Sequence, residues 1–211
     1  MPNSATHAVL TGDLVASTTL PDDRAEADMS ALHHVAQDED LPFTRFRGDG
    51  WQMLLPRPGH ALRIALRLTA ALTAADTGLT TRLAIGIGRV TRLSANDLSG
   101  ATGSAFIRSG RALDSMPRTR RWALSGGTGL PTWVAATLPI AEGQAAQWTK
   151  GQAAVVAEYL TPADRTQEEW AARMGLTRQA WKSRLDGSGI AAWHPMLDLW
   201  ENWNGAGVTD D

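Results

Sequence analysis

The residues best suited to chemistry lie in two short segments of the N-terminal half. In the first, Asp13 follows an apolar run, His7 to Thr11, and precedes a helix start marked by Pro21. Backbone N–H groups at the start of a helix attract phosphate, and a neighbouring aspartate is an oxygen ligand for a divalent cation. We therefore predict that Asp13 binds a metal ion and that Ser17 and Thr18 bind the phosphates of a nucleotide.

The second segment is Gly48-Asp49-Gly50, which separates two strand-like runs over residues 43–47 and 51–55. This spacing predicts a β-hairpin with Asp49 at its tip and Gly48 within reach of a nucleotide. Aspartates at adjacent strand ends can hold a pair of Mg²⁺ or Mn²⁺ ions, which activate a hydroxyl and neutralise a polyphosphate. Each segment alone has a structural alternative, because Asp-Gly is common in turns and aspartate often caps a helix. Their combination favours a metal site.

The elements that must position these residues alternate between strands and helices. Apolar periodicity predicts helices over residues 21–35, 59–75 and 104–116, and strands over 81–90 and 121–124. Residues 93–102 are predicted to form a polar, flexible loop. This order of elements predicts an α+β domain with a ferredoxin-like, mostly antiparallel sheet and helices on one face.

Two details of this domain follow from residue spacing. His60, Arg63 and Arg67 share the side of the second helix opposite its apolar face, so we expect them to form a polar stripe there. Gly86 and Gly88 leave one face of a strand nearly bare. Such glycines often mark a place where another backbone or a ligand approaches closely.

The C-terminal segment from Gln167 to Leu185 has the features of a helix-turn-helix unit. Thr166 and Thr177 are suited to cap its two helices, and Gly175 to adopt the left-handed conformation at the turn. The exposed side of the second helix then presents donors for DNA phosphates and base edges: Arg178, Gln179, Lys182 and Ser183. The alternative is a helical packing or dimerisation module without DNA, because the segment is hardly basic.

Composition limits the remaining possibilities. The 211 residues suit a domain over 1–140 and a smaller one over 141–211, and a net charge of −2 requires any DNA contact to come from a local basic patch. With no cysteine, disulfides and thiolate metal sites are excluded. The start of the chain does not have the pattern of a signal peptide, and no apolar run is long enough to span a bilayer. We expect a cytoplasmic protein without membrane contacts.

On these motifs the chain resembles the class III nucleotidyl cyclase catalytic domain. The stretch Asp13-Leu-Val-Ala-Ser-Thr is similar to the first metal-binding segment of that family, and Phe46-Arg-Gly-Asp-Gly-Trp-Gln is similar to the second. The resemblance is closer to divergent SatD-like relatives, which join such a domain to a C-terminal helix-turn-helix unit. It implies a cyclase-like fold, a homodimer, and two metal ions with a nucleoside triphosphate or cyclic nucleotide as ligand.

The resemblance also implies roles for residues outside the two metal segments. The stretch from Gly103 to Asp114 is similar to a helix that supplies transition-state groups across the dimer interface, which makes Arg111 the catalytic arginine. Arg45 falls on the position that reads the base. Ile107 stands where active cyclases carry an asparagine.

Three hypotheses follow from these patterns. The first is a DNA-binding regulator whose cyclase-like domain dimerises and senses a nucleotide with Mg²⁺. The second is an active metal-dependent cyclase that converts a nucleoside triphosphate to a cyclic nucleotide and pyrophosphate, with divergent base specificity. The third is a catalytically silent dimerisation scaffold.

Overall fold

The computed structural model describes residues 5–15, 22–46, 48–94 and 97–210; Ser17 and Thr18, for which nucleotide binding was predicted, lie outside these ranges. The strands are β1 (Thr6–Val15), β2 (Phe43–Arg45), β3 (Gly50–Leu55), β4 (Thr80–Arg89), β5 (Arg92–Ser94), β6 (Asp97–Thr102) and β7 (Trp122–Ser125). The helices are α1 (Asp22–Asp38), α2 (Ala61–Ala75), α3 (Ser104–Asp114), α4 (Thr132–Ala145), α5 (Lys150–Tyr159), α6 (Gln167–Arg173), α7 (Arg178–Ser188) and α8 (His194–Trp203). No helix in these ranges is long and apolar enough to cross a membrane.

The main sheet has the strand order β2-β3-β1-β4-β7. All neighbouring strands are antiparallel except β4 and β7, which are parallel, so the α+β class with a mostly antiparallel sheet is confirmed. β1 is longer than the apolar run predicts, because Gly12 and Asp13 continue the pairing with β3 and β4. Gly12 does not end the strand; the ring of Trp51 lies where a Cβ on Gly12 would be, at 2.4 Å.

The helices do not all lie on one face of the sheet, so that expectation is wrong for α3. The larger buried cluster joins α1, α2, α4 and α5 to one face, through residues such as Leu10 and Ile85. α3 packs on the opposite face, where a Cβ on Gly86 would lie 2.1 Å from the carbonyl oxygen of Ala105. The bare glycine surface therefore accommodates a helix backbone.

Two local expectations are also wrong. The described residues of the predicted flexible loop, 93–94 and 97–102, belong to the paired strands β5 and β6, because Leu98 is buried against Val9 and Leu54 and anchors β6. Arg67, expected on a polar stripe, is buried beneath the helices that follow in the chain. Its guanidinium donates to Asp38 at 2.5 Å, to Glu39 at 2.7 Å and to the carbonyl of Ala157 on α5 at 3.2 Å.

The C-terminal helices extend the layer that α1 and α2 begin. One cluster of buried apolar residues runs from the sheet through α5 and α7 to Trp200 on α8. Residue 140, where we divided the sequence into two domains, lies within α4. The two-domain division stays a prediction.

The caps expected at α6 and α7 are present. The Thr166 hydroxyl accepts from the backbone N–H of Glu169, whose carboxylate accepts from the backbone N–H of Thr166 in return. Thr177 caps α7 through the N–H of Ala180, and Gly175 between the helices has a φ of 64°. Trp170 and Trp181 are buried beneath the pair. Whether these two helices act as a DNA-binding unit stays a prediction.

Candidate functional site

The structure brings Asp13 and Asp49 together at one end of β1 and β3. Asp13 pairs with Gly50 across the two strands, and the backbone N–H of Leu14 donates to the carbonyl of Asp49 at 3.2 Å. Both aspartates line a cleft of about 480 Å³, and the hairpin turn before Asp49 is made by Gly48 with a φ of 84°. A β-branched or other L-residue at that φ is strained, which explains the glycine.

A guanidinium group that the sequence reasoning missed holds the Asp13 carboxylate. Arg82, directly opposite Asp13 on β4, donates from Nε to Oδ1 at 3.0 Å and from Nη2 to Oδ2. The hydrogen bonds to Asp13 raise the pKa of Arg82 most; burial opposes this increase, and the nearby charges of Asp13, Asp114 and Asp49 add to it. Arg82 therefore places a positive charge at the carboxylate predicted to bind a metal ion.

The donor set suits a cation whose coordination is completed by its ligand. In the ranges that the structure describes, no group of three or more His, Asp or Glu side chains surrounds a common point. Mg²⁺ is commonly bound by one or two carboxylates together with water and substrate phosphates. Asp13 and Asp49 are the carboxylates on this cleft that could hold such an ion, and their binding of a metal stays a prediction.

The cleft has further positive charge on the loop between α3 and β7. Arg118 and Arg121 line the same cleft as the two aspartates. Together with Arg82 they place three arginines in the cleft that Asp13 and Asp49 line. The sequence signal for this loop is the basic run Arg118-Thr-Arg-Arg, which belongs to neither aspartate motif.

The other residues predicted for nucleotide chemistry lie outside the cleft. Arg45 is on the sheet face covered by α1, where its guanidinium contacts Glu26 at 2.5 Å. Arg111 is exposed on α3, and Ile107, one turn earlier on the same helix, is 54% exposed. A single chain therefore does not bring Arg45 or Arg111 to the lining of the cleft, and their roles stay predictions that require a partner subunit.

The residues predicted to contact DNA lie exposed on α7, but two of them are paired with carboxylates. Arg178 Nε lies 3.0 Å from Glu168 on α6, and Lys182 Nζ lies 2.6 Å from Asp186 one turn further along α7. Gln179 and Ser183 are exposed on the same helix. These ion pairs reduce the positive potential that the surface presents to a phosphate backbone.

Comparisons with known proteins give similarity only at the level of solved structures. No protein-family model matches the sequence, and no curated protein matches it. An adenylate cyclase structure from Trypanosoma brucei is 12% identical, with a TM-score of 0.40 over 54% of this chain and 74% of that one. The guanylyl cyclase Cya2 is 15% identical, with a TM-score of 0.37 over 52% and 69%. The catalytic core of a rhodopsin-guanylyl cyclase with converted specificity, in complex with ATPαS, is 14% identical, with a TM-score of 0.39 over 55% and 76%.

Proposed function

We propose that this protein binds a nucleotide together with a divalent cation, in the manner of a cyclase-like sensor domain. The observation that carries the proposal is the placement of Asp13 and Asp49 on one cleft, with a guanidinium against Asp13. The resemblance of both aspartate segments to the metal-binding motifs of class III cyclases supports the same assignment. SatD-like relatives, in which such a domain precedes a helix-turn-helix unit, are the family we propose.

Binding requires an exchange of partners at Asp13. Arg82 is bound to both carboxylate oxygens, and its side chain is 31% exposed, so it can leave the carboxylate without opening the core. A guanidinium released in this way can pair with a phosphate of the incoming nucleotide. When bound, Mg²⁺ or Mn²⁺ supplies charge neutralisation for the phosphates. Asp13 and Asp49 hold the cation, and Arg82 moves from carboxylate to phosphate.

Thermal unfolding with each of the four nucleoside triphosphates and Mn²⁺ tests this proposal. We expect at least one nucleotide to raise the melting temperature of the wild type, and Asp13→Asn or Asp49→Asn to abolish the shift. Arg82→Gln tests the exchange separately: it frees Asp13, so binding of Mn²⁺ without nucleotide should tighten a few-fold, as expected for a partly exposed ion pair of roughly 1 kcal/mol. Absence of a metal-dependent shift with every nucleotide would contradict this proposal and leave the scaffold hypothesis standing.

An active cyclase is the second candidate, favoured by the exposed guanidinium of Arg111 on α3. The side chain of Ile107, at the position of the family's asparagine, offers no hydrogen bond to a ribose. Losing one donor aimed at the transition state costs about 10²–10³ in rate. We therefore favour sensing over turnover. Chromatographic detection of a cyclic nucleotide with wild type, and its loss in Arg111→Ala and Asp13→Asn, would establish turnover instead.

We further propose that α7 contacts DNA, in line with a regulatory role. Four exposed residues with hydrogen-bonding side chains lie along α7, where a groove-binding helix presents them: Arg178, Gln179, Lys182 and Ser183. The double variant Arg178→Ala, Lys182→Ala should weaken DNA binding and reduce its salt dependence, measured by fluorescence anisotropy. Glu168→Gln is the matched opposite, because it frees Arg178 and should strengthen binding. Unchanged affinity in both variants would favour the packing-module alternative.

A further inference from the structure

We infer that the loop between α3 and β7 is a preformed polyphosphate-binding element. Arg118 and Arg121 bind the phosphates, which the negatively charged side chains of Asp13 and Asp49 cannot bind directly. This inference deepens the proposed function and rests on it for the identity of the ligand as a nucleoside triphosphate. It adds residues that neither the aspartate motifs nor the resemblance includes.

The first support is the pairing state of the two arginines. Arg118 and Arg121 are exposed on the cleft, and neither side chain has a hydrogen bond or an ion pair with the described part of the chain. Arg120 between them is paired with Glu142. Guanidinium groups bind phosphate oxygens through two parallel N–H donors, so unpaired arginines beside a carboxylate pair are suited to an anion that bridges metal and arginine.

The second support is the rigidity of the loop that carries them. Glu142 on α4 accepts from Arg120 Nε and from the backbone N–H of Arg121, each at 2.7 Å. The carbonyl of Arg121 accepts from the N–H of Leu83 on β4 at 2.8 Å, and the N–H of Arg120 donates to the carbonyl of Pro117 at 2.9 Å. Hydrogen bonds therefore hold the backbone at Pro117, Arg120 and Arg121 without a ligand, which reduces the ordering that binding requires.

The third support is the charge of the cleft. Among the described residues, three arginines and two aspartates line the cleft, and the charge of Asp114 also acts on Arg82. Metal binding at the aspartates adds positive charge beside the three arginines. A triphosphate carries the negative charge to balance the metal ion and the arginines together, whereas a neutral nucleoside carries none.

Calorimetry of the full chain with inorganic tripolyphosphate, without metal and at low ionic strength, tests the inference. We expect wild type to bind, each of Arg118→Gln and Arg121→Gln to weaken binding about tenfold, and the double variant roughly a hundredfold, as for lost charge-assisted hydrogen bonds. Arg57→Gln, which removes an exposed arginine outside the cleft, is the matched control and should bind as wild type does. No binding by wild type, or equal binding by the double variant, would overturn the inference.

Glu142→Ala tests whether the hydrogen bonds from Arg120 and Arg121 to Glu142 position the loop. Two explanations predict opposite changes in tripolyphosphate affinity. Removing this carboxylate makes the region more positive, so general electrostatic attraction predicts tighter tripolyphosphate binding. Release of the loop predicts weaker binding, which is the result we expect. Tighter binding would contradict the role of Glu142 in positioning the arginines.

The outcome is separable from that of the proposed function. Asp13→Asn with Asp49→Asn should keep metal-free tripolyphosphate binding while losing the Mn²⁺-dependent nucleotide shift. If tripolyphosphate binding depends on the arginines but no nucleotide binds, only the proposed function fails. If nucleotide and metal binding depend on the aspartates but the arginines are irrelevant to tripolyphosphate, only the inference fails.

Discussion

Asp28 on α1 shows how burial acts on a single ionisable residue. Its side chain is inaccessible to solvent; Oδ2 accepts from the Thr77 hydroxyl at 2.7 Å, and Oδ1 has no hydrogen-bond partner in the described ranges. Burial raises the pKa of this carboxyl, and the hydrogen bond from Thr77 opposes that increase only in part. The folded protein therefore favours the neutral acid more than the unfolded chain does.

This shift predicts a pH-dependent difference between wild type and Asp28→Asn. Where the pH lies between the ordinary aspartate pKa and the raised folded value, the unfolded state loses the proton first, so the stability of wild type falls as pH rises. The asparagine of the variant does not ionise. The stability of Asp28→Asn relative to wild type should therefore grow by about 1 kcal/mol per pH unit in that window and then level off. Urea unfolding from acid to neutral pH measures the difference.

A constant difference between the two proteins across that pH range would contradict the raised pKa. Thr77→Val is the companion variant: it removes the hydrogen bond that opposes the shift, so its pH-dependent loss of stability should extend to higher pH than in wild type.

Among the elements, α3 depends most on the absence of side chains in the sheet beneath it. A Cβ on Gly86 would lie 2.1 Å from the Ala105 carbonyl oxygen and 2.4 Å from the Ser109 nitrogen, both of which belong to the helix backbone. The Ser109 hydroxyl is also 2.7 Å from that of Thr11 on β1. Because backbone atoms cannot rotate away as side chains can, α3 as a whole must move if Gly86 is enlarged.

Gly86→Ala is therefore expected to lower the free energy of unfolding by about 2 kcal/mol or more, as for overpacked cores. Gly110→Ala provides the matched control: a Cβ there meets nothing within 4 Å, and alanine favours a helix interior. That variant should be more stable than wild type by roughly 0.5–1 kcal/mol. Guanidinium chloride unfolding measures the stability of both variants. Equal effects of the two substitutions would contradict the close packing of α3 on Gly86.

On the scale of the whole molecule, α3 presents an apolar side chain outward beside its predicted catalytic arginine. Ile107 is 54% exposed on α3, and Ile140 is 66% exposed on α4. The resemblance to cyclases predicts that α3 faces a second copy of the chain, and Arg111 requires that copy to reach a cleft. Nothing assigns such a role to α4.

Ile107→Asp should accordingly convert a homodimer to monomers, because it places a charge in the predicted interface. The aspartate lies in the first turns of α3, where it is compatible with the helix dipole, so the fold should be retained. Ile140→Asp carries the same change on an exposed position of α4 and should leave the dimer intact. Sedimentation velocity measures both, and a wild type that remains monomeric at high concentration would contradict the prediction.

The sequence by itself determined the features that depend on neighbours along the chain. Local conformation and periodicity are sufficient to predict three features. These are the hairpin around Gly48, the helix caps at Thr166 and Thr177, and the alternation of side chains between the two faces of β4. The neighbouring placement of Asp13 and Asp49 also followed, because the ends of two strands in one sheet meet at one edge.

Only the tertiary structure decided which charges meet. The sequence predicts that Arg67 lies on the polar side of its helix. In the folded protein, α5 covers that side and buries the guanidinium. Arg82 lies far from Asp13 in sequence and contacts it only through the register of β4 against β1. Arg118 and Arg121 line the cleft on a loop whose Arg121 N–H donates to Glu142 on another helix. Local patterns record what each residue prefers, whereas pairing across elements depends on register and packing that no single segment contains.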